Sequence, residues 1–124
     1  MKEKERNGKG KEYDYNDKLK FEGEYLNGER WNGKVKEYYD DGKLEFKGEY
    51  LNRKRNGKGK KYYNNGKLEF EGEYLNGKRW NGKGYNIKGE MSFEIKEGNG
   101  KVKEYYDDDE LKFEGEYLNG ERNV

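Results

Sequence analysis

The sequence predicts an all-β protein: an elongated, single-layer, twisted antiparallel sheet that meanders through stacked β-hairpins. Three observations predict this fold: a 17-residue block that recurs four times, a strict alternation inside each block, and frequent Asn-Gly pairs between blocks. The period is about 24 residues. A unit of this length cannot bury its apolar side alone and must stack on its neighbours. We therefore expect one solenoid-like domain over 1–124, with about five hairpin units and about ten short strands.

The recurring block predicts the first strand of each hairpin. Its copies are KEYDYNDKLKFEGEYLN (11–27), KEYYDDGKLEFKGEYLN (36–52), KKYYNNGKLEFEGEYLN (60–76) and KEYYDDDELKFEGEYLN (103–119). Leu, Phe, Gly and Tyr occupy alternate positions in each copy, with Lys or Glu between them, so one face of the strand is apolar and the other solvated. Glycine inside a strand weakens it, and we expect an aromatic ring from an adjacent strand to cover each one.

A second strand type and the turns complete the hairpin. The second strands are predicted at GKGKEYD (8–14), GKVKEYY (33–39), GKGKKYY (57–63) and GKVKEYY (100–106). Asn-Gly occurs nine times, and Asp41-Gly42 adds a similar pair; both dipeptides tolerate the positive φ angles of tight hairpin turns. The chain is therefore expected to reverse about every dozen residues. Residues 84–100 read as a degenerate unit, in which Gly89, Met91 and Phe93 keep a remnant of the aromatic face.

Composition alone would suggest disorder, because 28% of residues are hydrophobic and 44% are charged. Two features favour order instead: the net charge is only +1, and aromatic residues make up 16% of the chain. Such a chain can share a thin aromatic layer between units but cannot build a thick core. The near-neutral charge gives no general reason to expect nucleic acid as a partner.

The candidate location follows from what the sequence lacks. There is no cysteine, so no disulfide framework or thiolate metal site is expected. The charged N-terminal segment MKEKERNGKGKE has no apolar region typical of a secretory signal, and no apolar run reaches membrane-spanning length. We predict a cytoplasmic location, with a peripheral position at a membrane or cytoskeletal structure as an open alternative.

The segments FEGEYLNG, RNGKG and YNNGK resemble the MORN repeat (membrane occupation and recognition nexus), and the Lys-rich form KEYYDDGKLEFKG is similar to the second variant of that family. The resemblance covers about residues 6–122. It implies an elongated single-layer sheet of hairpins and roles in protein–protein scaffolding, dimerisation and membrane-associated assembly, with lipid binding proposed for some members. The sequence departs from the repeat at the insertions that bring Trp31 and Trp80, at Val35, and in the degenerate unit.

The inventory for catalysis is nearly empty. The chain has no His, Cys or Thr, and its single serine, Ser92, has no imidazole to activate it. The abundant carboxylates alternate with lysines on a face expected to be solvated. We predict that the protein is not an enzyme and uses no cofactor. The run DDDE (107–110) lacks the ligand spacing of a calcium loop and is interpreted as an acidic turn, so no metal site is predicted.

Two features are candidates for binding. Trp31 and Trp80 lie two repeats apart and are either exposed anchors for a partner or caps of the aromatic row. A basic cluster over 53–61 is either a contact for anionic lipid headgroups or a solvated hairpin end. The residues of that cluster are Arg53, Lys54, Arg55, Lys58, Lys60 and Lys61.

The function predicted from the sequence is a non-catalytic interaction scaffold, which binds a protein segment along an aromatic-lined face or at a sheet edge. An anionic-lipid adaptor that recognises phosphoinositides is one alternative. Because the chain begins and ends within a repeat, both end strands are expected to be unpaired edges. Self-assembly through these edges is the second alternative.

Overall fold

The computed structural model describes residues 7–123, and every regular element in that part of the chain is a β-strand. Eleven strands follow one another along the chain. They are β1 (Gly8–Tyr13), β2 (Leu19–Leu26), β3 (Glu29–Tyr38), β4 (Leu44–Leu51), β5 (Lys54–Tyr62), β6 (Leu68–Leu75), β7 (Lys78–Tyr85), β8 (Met91–Ile95), β9 (Gly100–Tyr105), β10 (Leu111–Leu118) and β11 (Glu121–Asn123).

Within each sheet, consecutive strands pair antiparallel in chain order, which confirms the predicted meander of hairpins. The eleven strands agree with the predicted number of about ten, whereas the prediction of one continuous sheet was wrong. Strands β1–β8 form one sheet, and β9–β11 form a second sheet of three strands.

The break between the sheets lies in the degenerate unit. Strand β8 has five residues, whereas the equivalent strands β2, β4, β6 and β10 have eight. It turns back at Glu97-Gly98, and a single bridge between Lys96 and Asn99 joins it to β9. Because β8 is short, it lacks the hydrogen-bonded ladder to β9 that would join the two sheets into one.

One core nevertheless runs through both sheets. Phe21, Phe46 and Phe70 have no exposed surface, and the same cluster continues through Phe93 and Ile95 to residues of the three-stranded sheet. Of the predicted remnant in the degenerate unit, Phe93 belongs to this core. Met91 is 59% exposed, and Gly89 lies in a turn.

The Asn-Gly pairs do not all make tight hairpin turns. Asn27-Gly28, Asn76-Gly77 and Asn119-Gly120 each have positive φ at both residues, as a type I′ turn requires. Asn32-Gly33, Asn56-Gly57 and Asn81-Gly82 lie inside strands. The interpretation of these last three pairs as turn markers was therefore wrong.

The asparagines inside strands bind the turn of the next unit. The Oδ1 atom of Asn32 accepts the backbone N–H of Asn52 at 3.1 Å, and that of Asn56 accepts the N–H of Asn76 at 3.1 Å. The same contact recurs in three further pairs: Asn7 with Asn27, Asn81 with Glu97, and Asn99 with Asn119. These side chains join successive units along one side of the stack.

The glycines within strands are required for two different reasons. A Cβ on Gly59 would lie 2.9 Å from the Tyr74 ring and 3.0 Å from the Phe46 ring, as predicted for a glycine under an aromatic ring. A Cβ on Gly72 would instead collide with the backbone of Asn81 and Gly82 on the neighbouring strand. The second reason is a close approach of two backbones, which the alternation pattern does not reveal.

Candidate functional site

The alternation along each strand gives the sheet two chemically different faces. We call the face that carries Phe, Gly and Tyr of the repeat the aromatic face, and the opposite face, which carries the alternating Lys and Glu, the polar face. The prediction of an aromatic-lined binding surface depends on how accessible the rings are.

Arginine side chains cover the phenylalanines of the aromatic face. The guanidinium carbon of Arg55 lies 3.9 Å from the centre of the Phe46 ring, and that of Arg79 lies 4.6 Å from the Phe70 ring. The arrangement recurs between Arg30 and Phe21 (5.2 Å) and between Arg122 and Phe113 (5.0 Å). In every pair the arginine follows the phenylalanine by nine residues in the sequence. Tyrosines pack edge-on against the same rings. Because Phe21, Phe46 and Phe70 have no exposed surface, they cannot line a contact surface in this conformation.

A glutamate from the preceding unit holds Arg30 and Arg55 in place. Arg30 Nε donates to Glu12 Oε2 at 2.6 Å, and Arg55 Nη2 donates to Glu37 Oε2 at 3.1 Å. Partial burial would raise the pKa of Glu12. The hydrogen bonds that it accepts from Arg30 and Tyr25 outweigh this effect and hold its pKa below the ordinary value of 4.5.

The third unit departs from this arrangement, because Lys61 stands where the other units have glutamate. Arg79 turns instead to Glu69 at 2.8 Å and to Glu104 at 3.2 Å. Glu104 belongs to β9, so this ion pair connects the two sheets. Glu104 also accepts hydrogen bonds from Arg122 and Tyr117, both at 3.1 Å.

Trp31 and Trp80 occupy equivalent bulges in the sheet. In β3, Arg30 pairs with Tyr25 and Asn32 with Glu24, so that Trp31 is the extra residue; Trp80 has the same place in β7. Both rings are half-buried. The guanidinium carbon of Arg53 lies 5.4 Å from the centre of the Trp31 ring. Trp80 packs against the turn at Gly98. Each ring therefore contacts the turn of the following unit, and a role in partner binding stays a prediction.

The structure separates the six basic residues predicted as one cluster. Arg55 and Lys61 lie on the aromatic face, where Lys61 sits between Glu45 (3.6 Å) and Glu69 (3.7 Å). Lys54, Lys58 and Lys60 lie exposed on the polar face, and Arg53 lies in the turn, paired with Glu29. The six side chains do not form a single patch, because alternation sends neighbours in sequence to opposite faces.

The polar face contains a groove of about 700 Å³ that crosses the sheet from β2 to β6. Ten charged side chains of the polar face line it, and the strand glycines Gly48, Gly59 and Gly72 contribute to its floor. Because glycine has no side chain, nothing projects into the groove from these three positions. The groove is thus a shallow channel with charged walls that runs across the strands.

Three lysines lie in register in the middle of this groove. Lys36 on β3 is directly opposite Lys47 on β4, and Lys47 is directly opposite Lys60 on β5. We call these three residues the lysine row. Lys60 contacts Glu71 at 3.2 Å, whereas Lys36 and Lys47 form no ion pair with any carboxylate of residues 7–123.

The lysine row was not recognised from the sequence, although a signal for it was present. Position 47 holds Lys in FKGEY, where the other three full copies have FEGEY with Glu22, Glu71 and Glu114. Aligned copies therefore show one charge reversal. The effect of this charge reversal depends on which residues lie opposite Lys47 on the neighbouring strands, and the sequence alone does not show that pairing.

The run 107–110 forms a turn, in which Asp108 accepts the N–H of Glu110 at 3.0 Å, as predicted. Over residues 7–123, the structure contains no group of three or more acidic, His or Cys side chains arranged to hold a metal ion. The same residues include no candidate membrane-spanning helix.

Comparison with known families gives one clear result. A family model described as a MORN repeat variant matches four segments of the chain, 6–27, 31–52, 55–76 and 98–119. These segments contain the recurring blocks, and the gap between the third and fourth contains most of the degenerate unit. No curated protein and no solved structure matches the chain.

Proposed function

Because the chain belongs to the MORN repeat family, we propose that it is a non-catalytic interaction module that binds a protein segment in the groove of the polar face. Repeats of this family generally serve as binding or scaffold modules. In this proposal the polar face makes the contact, and the partner is a protein segment.

The observation that carries the proposal is the contrast between the two faces. The phenylalanines of the aromatic face are fully buried under arginines, whereas the polar face keeps an open groove of about 700 Å³. This volume lies within the range of pockets that bind ligands, roughly 300–1,000 Å³. A channel that runs across five strands suits a long, narrow ligand, such as an extended protein segment.

A row of exposed leucines supports a protein partner. Leu26, Leu51 and Leu75 lie at the hairpin ends of the strands that cross the groove, and they are 40%, 46% and 41% exposed. By alternation they share the polar face with the charged residues of the groove. Apolar side chains beside a charged channel can bind the side chains of a protein segment, which a purely ionic surface would not hold.

The same residues argue against catalysis. The family is generally non-catalytic. The ionisable side chains that line the groove are lysines and glutamates, and the lining includes no His, Cys or Ser. Its charged side chains are exposed, so no dry environment is available to shift the pKa of an acid or a base.

The alternatives raised by the sequence stay predictions. Strands β1 and β11 each have one neighbour in the described part of the chain, so their outer edges could add a strand from another copy. Phosphoinositide binding through Arg53, Lys54 and the other basic residues is untested, as are the cytoplasmic location and its peripheral variant.

Selection from a random peptide library, followed by a matched pair of variants, tests the proposed function. Glu49→Trp places a large ring in the groove, and Glu116→Trp makes the same change at the equivalent exposed position of β10, outside the groove. Labelled peptides selected on the wild-type chain should lose binding to Glu49→Trp and keep it with Glu116→Trp. Equal binding to both variants, or failure to select any peptide, would contradict the proposal.

A further inference from the structure

We propose that the lysine row, Lys36, Lys47 and Lys60, selects an acidic segment of a protein partner. This inference rests on the proposed function, since it assigns the chemistry of the segment that occupies the groove. It depends on observations that the family assignment does not supply: the register of three strands and one charge reversal in the repeat.

Comparison with the other units shows that the lysine row departs from the repeat and that this departure destabilises the sheet. At the equivalent position in the other units, lysine faces glutamate across the strands: Lys11 contacts Glu22 at 3.5 Å, and Lys103 contacts Glu114 at 3.4 Å. Opposite charges that face each other across strands stabilise a sheet, and like charges destabilise it. Lys47 faces lysine on both sides, so the fold alone would favour glutamate there.

The geometry concentrates positive charge in a narrow line. Residues directly opposite on neighbouring strands lie about 5 Å apart at their Cα atoms, so the three ammonium groups lie within reach of one ligand. An extended segment with an acidic residue at every second position repeats its carboxylates about every 7 Å. The long and flexible lysine side chains can bridge the difference between these two spacings.

The flanking charges favour a narrow protein segment over a membrane surface. On one side of the lysine row, Lys34, Glu49, Lys58 and Glu73 occupy β3–β6 and alternate in charge, and Glu71 follows Lys60 at its end. An extended chain along the row would contact the lysines and avoid most of these carboxylates. A flat anionic bilayer would contact the lysines and the glutamates together, which weakens its attraction to the face.

One substitution separates binding from folding. Lys47→Glu restores the residue that the other units carry, and it places a carboxylate between Lys36 and Lys60. We expect it to raise the midpoint of thermal unfolding while it weakens the binding of a fluorescein-labelled peptide of alternating Glu and Ser by about tenfold. Lys101→Glu, at an exposed position of β9 outside the groove, is the charge-matched control and should keep the wild-type affinity.

The remaining arms identify the ligand. A peptide of alternating Lys and Ser should not bind, and binding of the acidic peptide should fall steeply at high salt, where exposed charges are screened. Unchanged affinity for the acidic peptide in Lys47→Glu would overturn the inference. The inference would also be overturned if Lys47→Glu weakened binding to phosphatidylserine vesicles and did not weaken binding of the acidic peptide. Selected peptides that lose binding to Glu49→Trp but not to Lys47→Glu would overturn the inference alone and leave the proposed function standing.

Discussion

The guanidinium carbon of Arg55 lies 3.9 Å above the Phe46 ring, while Arg55 Nη2 donates to Glu37 at 3.1 Å. This contact places Arg55 in the packing of the aromatic face, although its neighbour Arg53 is 55% exposed. A residue that the sequence places in a basic cluster is therefore part of the core arrangement.

Replacing Arg55 should destabilise the protein far more than replacing Arg53. Arg55→Ala removes a cation–π contact and leaves the partly buried Glu37 with only the 3.4 Å hydrogen bond from the Tyr50 hydroxyl, a loss of about 2 kcal/mol in the free energy of unfolding. Arg53→Ala should change it by less than about 0.5 kcal/mol, since exposed ion pairs contribute little. Urea denaturation of both variants checks this prediction, and equal losses would show that Arg55 has no special role in packing.

Glu104 should hold the two sheets together. Its side chain is 10% exposed and accepts hydrogen bonds from Arg79, Arg122 and Tyr117. Glu104→Gln should reduce the free energy of unfolding by about 2–3 kcal/mol, because it leaves the buried charge of Arg79 with Glu69 alone. Hydrogen exchange should quicken first in β9–β11, whereas the exposed control Glu114→Gln should show no such change.

Tyr74 should tolerate loss of its hydroxyl better than Tyr117 does. The Tyr117 hydroxyl donates to Glu104 at 3.1 Å, but Lys61 stands where Tyr74 would meet the equivalent glutamate. The buried Tyr74 hydroxyl consequently finds no acceptor among residues 7–123, and burial raises its pKa. Tyr117→Phe should cost about 1 kcal/mol and Tyr74→Phe should be neutral or stabilising. Thermal melts of the two variants would refute this account if their order were reversed.

Acid should destabilise the protein partly through Glu12. Its pKa is lower in the folded chain than its ordinary value of 4.5, so the unfolded chain binds the proton more tightly. The stabilisation is fully present above about pH 4.5 and is lost as the pH falls through the lowered pKa. Glu12→Gln should therefore lose less stability than the wild type between about pH 6 and pH 3. Glu24→Gln, an exposed substitution on the polar face, serves as control; a pH response in Glu12→Gln equal to that of the wild type would contradict the assignment.

The repeat made the fold predictable, and departures from it limited the detail. The alternation through Leu19, Phe21, Gly23 and Tyr25 specified which face is apolar, because a period of two fixes side-chain direction. The break after β8 was missed, because it depends on how few residues of the degenerate unit remain to pair. The strand asparagines were misassigned, because Asn-Gly has the same letters in a turn and inside a strand.

The candidate site was harder to predict for a related reason. Arg55 and Lys58 are close in sequence but lie on opposite faces, so a run of basic letters does not make a patch. Lys47 is one charge in a sequence rich in charges. Its neighbours across the strands, Lys36 and Lys60, are far from it in sequence, and only the register brings the three together.

Photo-crosslinking from single cysteines tests whether the groove of the polar face is the binding surface, and it is feasible because the chain has no cysteine of its own. A maleimide photo-crosslinker is attached to Lys58→Cys in the groove, to Lys101→Cys at the equivalent position of β9, or to Glu121→Cys on the edge strand β11. Each labelled chain is then irradiated with a peptide selected for binding. We expect strong crosslinking from position 58 and little from positions 101 and 121. Equal yields from all three positions, or crosslinking from position 121 alone, would contradict the claim that the groove of the polar face is the binding surface.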